Sequence, residues 1–353
     1  MQPFVYEMPA HRVIFAPGSI ARLPEEVQRL GATRAVVIAM PTEKRFADEA
    51  HARLGDMSAG VYAGVVAQHV PVEMLKDARA HAEKVGADCY VVIGGGSTVG
   101  VGKGLALETG LPIVAVPTTY AGSEMTPIYG ITEGGIKKTG RSHKVLPKSV
   151  IYDVNLTLSL PPHISGPSGM NAMAHCVEGL YAQDTNPIVV LMAAEGMRAL
   201  ARALPVVVRE PGDIEPRTDA QYGAWLAGLV LGSAGTAIHH KLCHTLGGSF
   251  NLPHAETHTV ILPHAMVYNR DAAADAMKIA AEALGVKDAA QGVYDLIVRI
   301  GAPTALKDIG MPADGLDRAA ELATQNPYWN PRPIERAGLR ELLQNAYEGK
   351  RPS

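Results

Sequence analysis

Along the first 155 residues, short β-branched runs alternate with stretches of helical period. The runs are Arg12–Phe15, Ala35–Met40, Gly60–Val65, Cys89–Ile93 and Pro112–Val116. The helical stretches are Ile20–Leu30, Glu43–Leu54, Glu73–Val85 and Lys103–Glu108. Apolar runs with so little alternation suit strands buried on both faces, so this half predicts a parallel sheet with helices on both sides. Ligands of such sheets sit at the carboxyl ends of the strands. From about Pro161 the strand pattern fades. Met170–Tyr181, Val189–Leu204, Asp219–Leu231, Thr236–Leu246, Ala272–Leu284, Ala289–Ile300 and Leu316–Ala323 carry helical periodicity instead. The pattern predicts two domains: an α/β, Rossmann-like nucleotide-binding domain over 1–158 and an all-α domain over 159–353.

Composition narrows the partners. The chain has 353 residues, 47% hydrophobic and 19% charged, enough apolar mass to exclude disorder. A net charge of −3 gives no basic field for nucleic acid or an anionic membrane surface. No apolar run approaches the roughly 18 residues that a membrane span needs. The opening MQPFVYEMPAHRVIF lacks the basic and apolar regions of a secretory signal. Cys89, Cys176 and Cys243 form an odd set without CxxC spacing. That fits reduced thiols in a cytoplasmic protein.

The run Cys89–Ile93 leads into Gly94-Gly95-Gly96-Ser97 and then Thr98–Lys103. A strand, a glycine turn and a helix start bring backbone N–H groups and a helix dipole to one point, an anion site suited to a pyrophosphate. It is not a P-loop, because Ser97 and Gly104 stand where that motif needs glycine and a magnesium-binding hydroxyl. It is not GxGxxG either, which would need glycine at Val99. A second polar turn, Pro117–Glu124, follows the next strand and offers Thr118, Thr119 and Gly122. Two such turns on adjacent strand ends can hold a dinucleotide. The same residues read without function would be hydrogen-bonded turns closing helices on the sheet. Strand Ala35–Met40 runs into Met40-Pro41-Thr42-Glu43, where a ribose contact belongs; no arginine follows to receive a 2′-phosphate and Glu43 would repel one, so NADH is expected to be preferred over NADPH.

Six of the 13 histidines lie between 239 and 264: His239, His240, His244, His254, His258 and His264. A lone histidine is usually a satisfied residue, but here Asn171 and His175 share one helix face, as do His240 and His244. His254 follows Pro253 and is expected in a turn. Imidazoles are both the usual divalent-metal ligands and the usual acid–base groups near neutrality. Asn171, a neutral donor, weighs against a metal.

At this point the sequence resembles the iron-containing alcohol dehydrogenase family over nearly its whole length. The motifs are Gly94–Lys103 for the family's GGGSxxDxAK loop, Thr118–Glu124, Asn171–His175, His240–His244 and Pro253-His254. The resemblance implies the dehydroquinate synthase-like fold of that family, with an NADH-binding domain, a helical catalytic domain and a homodimeric assembly. It implies cofactor contacts at Gly94, Gly95, Gly96, Ser97, Thr118, Thr119, Gly122 and Lys137. The family's metal ligands map onto Asn171, His175, His240 and His254, and its catalytic-region histidine onto His244. Two aspartates of the pattern are replaced, by Gly100 and Asn171. These departures, with HHKLCHTLGG, NLPHAETHTVILPHA and NPYWNPRPIER, resemble a subgroup that reduces a conjugated, unsaturated keto-dicarboxylate with NADH and no required metal. The four metal positions are then expected to be vestigial.

Such a reaction adds hydride to the alkene carbon remote from the ketone, so charge moves onto the ketone oxygen. The site must supply an electrophile for that oxygen and a proton for the neighbouring carbon. His175, His240, His244 and His254 are the expected catalytic residues. Asn171, His239, Lys241, His258 and Arg332 are the expected contacts for a small dicarboxylate. Two other classes stay open: a metal-dependent alcohol dehydrogenase acting on a small carbonyl compound, and a nucleotide-binding sensor without catalysis.

Overall fold

A computed structural model of the chain describes residues 4–8, 10–65, 70–133 and 136–353. Two compact units emerge: Met8–Leu160, and Pro161–Ser353 together with Met1–Glu7.

The first unit is built on a parallel six-stranded sheet. Its strands are β1 (Arg12–Phe15), β2 (Ala35–Ala39), β3 (Ser58–Tyr62), β4 (Cys89–Gly94), β5 (Ile113–Pro117) and β8 (Ser149–Tyr152), in the order β1-β8-β5-β4-β2-β3. All residues of β2, β4 and β5 are buried, as continuous apolar runs require. Helices α1 (Leu23–Arg29), α2 (Lys44–Leu54), α3 (Val72–Lys84) and α4 (Gly96–Thr109) connect or cover the strands. The chain goes from β2 to one side and returns to the other, so the crevice between β2 and β4 is the sheet's switch point.

Three features differ from the sequence reading. Helix α4 starts at Gly96, seven residues before the expected stretch. The glycines that hid it are packing positions: a Cβ at Gly102 would collide with Val92 of β4, and one at Gly104 would lie 2.6 Å from Leu75 of α3. Strand β8 escaped notice because its run is only four residues long. A hairpin, β6 (Ile128–Glu133) with β7 (Ile136–Arg141), was also unforeseen, because its residues alternate with polar ones.

The second unit is helical: α5 (Pro162–Tyr181), α6 (Pro187–Arg209), α7 (Ile214–Ser233), α8 (Ile238–Phe250), α9 (His254–Asn269), α10 (Ala274–Leu284), α11 (Ala289–Arg299), α12 (Leu316–Thr324) and α13 (Arg336–Glu348). Helix α5 is its axis, buried at every residue from Ser165 to Tyr181 and packed by α6, α7 and α9. The turn expected at His254 is instead the start of α9. Pro253 is instead the residue before the first helical turn, so His254 opens a helix. Helix α13 was not expected. Among the described residues, no helix is long and apolar enough to cross a membrane.

The close seat of α4 on β4 gives a stability test. Gly102→Ala should lower stability by about 1–3 kcal/mol through overpacking, seen as an earlier denaturation midpoint. An unchanged midpoint would show that this contact does not constrain the fold.

Candidate active site

Three turns at the carboxyl ends of β2, β4 and β5 meet in the first unit. Gly95 is the N-cap of α4, so the free N–H groups of its first turn open beside the glycine loop. Gly94 has φ of 152°, and a Cβ there would lie 2.5 Å from Glu43 Oε2. Gly95 is faced by Thr119, while at Gly96 a Cβ would find only Ala121, at 3.5 Å. Thr118 is buried and its hydroxyl donates to Glu43 Oε1. The other carboxylate oxygen, Oε2, is buried without a partner. Burial pushes the Glu43 carboxyl above the usual range, opposed by the Thr118 bond. Gly122 has φ of 80° and starts a short turn. Ser97 lies in the first turn of α4. Lys137 lies in β7, and its side chain falls outside the described residues. Lys103, the last residue of the loop motif, does not face this turn. Its ammonium is buried and donates to the carbonyls of Ser123 (2.5 Å), Thr126 (2.8 Å) and Ile128 (2.7 Å), tying α4 to the end of the second turn and the chain that follows it.

The second unit gathers the histidines around α5. Asn171, His175 and Glu178 recur at helical spacing on one face. His175 Nδ1 is 3.0 Å from His240 Nε2, and the rings stack with centroids 5.0 Å apart. The other nitrogen of His240, Nδ1, is 2.6 Å from Glu178 Oε2. Glu178 also accepts the backbone N–H groups of Ala237 (2.8 Å) and His239 (2.7 Å). The carboxylate thereby caps α8, where the helix dipole favours a negative charge. It also fixes the His240 tautomer, with Nδ1–H donating and Nε2 presented towards His175. Asn171 is buried, with Oδ1 unpartnered. His244, one turn along α8, has Nδ1 3.1 Å from the Tyr328 hydroxyl. His254 packs on His258, with centroids 4.4 Å apart.

Some expected substrate contacts lie elsewhere. His239 and His258 are fully buried and 2.9 Å apart, His239 Nε2 to His258 Nδ1, so neither has a face for a carboxylate. Burial first, and neighbouring imidazoles second, hold both well below the ordinary histidine range and therefore neutral. Arg332 stacks its guanidinium 4.2 Å from the Tyr268 ring and donates to the Tyr268 carbonyl. It clasps the 325–335 segment against Tyr268. Lys241 donates to the Gln325 carbonyl at 2.8 Å and stands 5.7 Å from the Tyr328 ring centroid. Asn269 and Asn330 exchange a reciprocal amide pair at 2.9 and 2.7 Å. This pair and the Arg332 clasp set the segment that carries Tyr328. Glu178 and Tyr328 were not singled out from the sequence. The signal for Glu178 was its place on the Asn171–His175 face. Nothing local marked Tyr328.

Residues 10–154 match the family described as iron-containing alcohol dehydrogenase, and residues 166–347 its C-terminal part. A maleylacetate reductase of Burkholderia cepacia is 52% identical over 353 residues, the whole of both chains. One from Sphingobium indicum is 54% identical over 349 residues, 99% of each chain. The crystal structure of maleylacetate reductase from Agrobacterium tumefaciens superposes with a TM-score of 0.96 at 53% identity, covering 100% of both chains. That of an iron-containing alcohol dehydrogenase from Corynebacterium glutamicum gives 0.95 at 43%, covering 100% of this chain and 99% of the other.

These matches correct one expectation. The sequence reading held that no metal is required, but the family implies iron or another divalent ion. The residues fit such an ion. Asn171 Oδ1 is a buried donor with no partner. The 3.0 Å between His175 Nδ1 and His240 Nε2 is near the spacing of two ligands on one ion. Glu178 behind His240 is the carboxylate–histidine arrangement that supports ligating imidazoles. Glu178, bonded to His240, supplies behind the ligands the negative charge that Asn171 lacks.

Asn171→Asp should therefore tighten divalent-metal binding at least tenfold, about 1.4 kcal/mol, in competition with a chromogenic chelator. Equal affinity in the two proteins would remove position 171 from the ligand set.

Proposed function

The chain belongs to the iron-containing alcohol dehydrogenase family, and we propose that within it the protein is an NADH-dependent enone reductase. It reduces the carbon–carbon double bond of maleylacetate to give 3-oxoadipate, late in bacterial breakdown of aromatic rings through hydroxyquinol or chlorocatechol. The observation that carries this reading is identity of 52–54% to maleylacetate reductases over essentially complete chains.

In this reading the glycine loop and the first turn of α4 hold the pyrophosphate, with Ser97, Thr118, Thr119 and Gly122 contacting the nucleotide. Glu43 stands at the end of β2 beside the glycine loop, on the ribose side of the site, where it would repel a 2′-phosphate. A divalent ion held by Asn171, His175, His240 and His254 would supply Lewis acidity towards the ketone oxygen. Hydride adds to the alkene carbon remote from the ketone. His244 gives the proton to the neighbouring carbon, and Tyr328 orients its ring through the bond at Nδ1. Glu178 holds the His240 ring in place. Lys241 offers a cation to one substrate carboxylate. We further propose a homodimer working in the cytoplasm, which light scattering and cell fractionation test.

The direct experiment follows NADH oxidation with maleylacetate and identifies the product. Loss of NADH with formation of 3-oxoadipate supports the assignment. Turnover confined to simple aldehydes and ketones would move the protein to the metal-dependent alcohol dehydrogenases.

Two substitutions probe the parts separately. At Gly96 the fold has room for a methyl group, but a bound pyrophosphate does not. Gly96→Ala should weaken NADH binding about tenfold, about 1.4 kcal/mol, without moving the melting temperature. Unchanged affinity by calorimetry would sink the phosphate assignment. His244→Ala should lower turnover by about 10²–10⁴-fold, the usual loss of a general acid, while the NADH affinity stays the same. Near-normal turnover would place the proton donor elsewhere.

A further inference from the structure

Next to the family's ligand set, α8 and α9 bring together a second group that the reaction above does not use. His239 and Cys243 lie one turn apart on α8, and His258 faces them from α9. All three are buried to within 1%. His239 Nε2 is 2.9 Å from His258 Nδ1 and 3.7 Å from Cys243 Sγ. The three candidate ligand atoms all lie within 4.8 Å of one another.

We propose that His239, Cys243 and His258 form a separate transition-metal site that takes a thiophilic divalent cation, zinc above all. The edges of a tetrahedral zinc centre with Zn–N of about 2.0–2.1 Å and Zn–S of about 2.3 Å are about 3.3 Å between nitrogens and about 3.6 Å between nitrogen and sulfur. The observed 2.9 and 3.7 Å need only small adjustments to match. The sulfur is the soft ligand that sets this group apart from the nitrogen and oxygen donors of Asn171, His175, His240 and His254. Charge also balances. A thiolate and two neutral imidazoles leave a zinc ion with one net positive charge. Burial first, and the Glu178 carboxylate second, push the Cys243 thiol up, so the ion itself must displace the proton from the sulfur. The inner nitrogens, His239 Nε2 and His258 Nδ1, and the Cys243 sulfur are the atoms that would take the ion.

The test uses the full chain produced in zinc-limited medium supplied with cobalt, so that the ion enters during folding. The wild-type protein should show a thiolate-to-cobalt charge-transfer absorption. Cys243→Ser should abolish that band and reduce bound cobalt by one ion per chain, while the histidine-ligated cobalt of the family site remains. Cys243→Ala repeats the comparison if the serine protein does not fold, and the circular dichroism spectrum of each variant verifies folding. Absence of the band in the wild-type protein overturns the proposal. So does a band that survives in either folded variant, since the sulfur would then be another cysteine.

Discussion

A carboxylate in a protein interior costs several kcal/mol unless hydrogen bonds and opposite charge surround it. Glu178, 1% exposed, meets that demand with Ala237 N–H, His239 N–H and His240 Nδ1. Each partner constrains something else. The two backbone donors fix the start of α8 against the last turn of α5. The ring donor fixes which nitrogen of His240 faces His175. With α8 placed, His244 is carried round towards Tyr328, and His239 and Cys243 are carried inward towards α9. The geometry of the helical unit's chemistry thus depends on one side chain that touches none of the reacting atoms in the proposed mechanism. Replacing it would strand three donors rather than one, because its two oxygens serve all of them.

The elements most legible in the sequence are those whose burial follows the regular period. Ala35–Ala39 and Cys89–Gly94 are buried throughout, and their unbroken apolar runs announced central strands. The histidine pairs were legible because four-residue spacing on a helix forces a shared face. Glu178 was not, because an isolated glutamate in a helical stretch has the signature of a solvated charge, and only α6, α7 and α9 around α5 make it otherwise. His239 and His258 look in sequence like their neighbours His240 and His254. Rotation of a helix by one residue, about 100°, separates a ring that faces a site from one sealed in the core. Tyr328 depends on a contact between residues 84 apart, held by an amide pair 61 apart, and no local pattern reports it.

The glycine-rich stretch after β4 serves two purposes at once. Gly94 and Gly95 shape the turn and the helix start. Gly102 and Gly104 bring α4 down onto β4 and α3, and Lys103 between them reaches the carbonyls at the end of the second turn and in the chain that follows it. The anion site therefore rests on a helix seated unusually close to the sheet. Gly100, which stands where the family pattern has aspartate, has Val70 2.6 Å from the place of its missing Cβ. In this chain, packing has taken the space that a carboxylate would occupy.

The pairing of β1 with β8 has a temporal side. Residues 12–15 find their sheet partners only at 149–152, and the N–H groups of Gly18 and Ile20 are held by Asp153. The first unit cannot close until that stretch has left the ribosome. At about 5–20 residues per second, the emerging chain waits on the order of ten seconds with the first strand unpaired. The waiting strand is only four residues long and begins with Arg12, a poor template for pairing with another chain. Its brevity protects the nascent protein from aggregation during the one interval when the sheet's first edge has no neighbour.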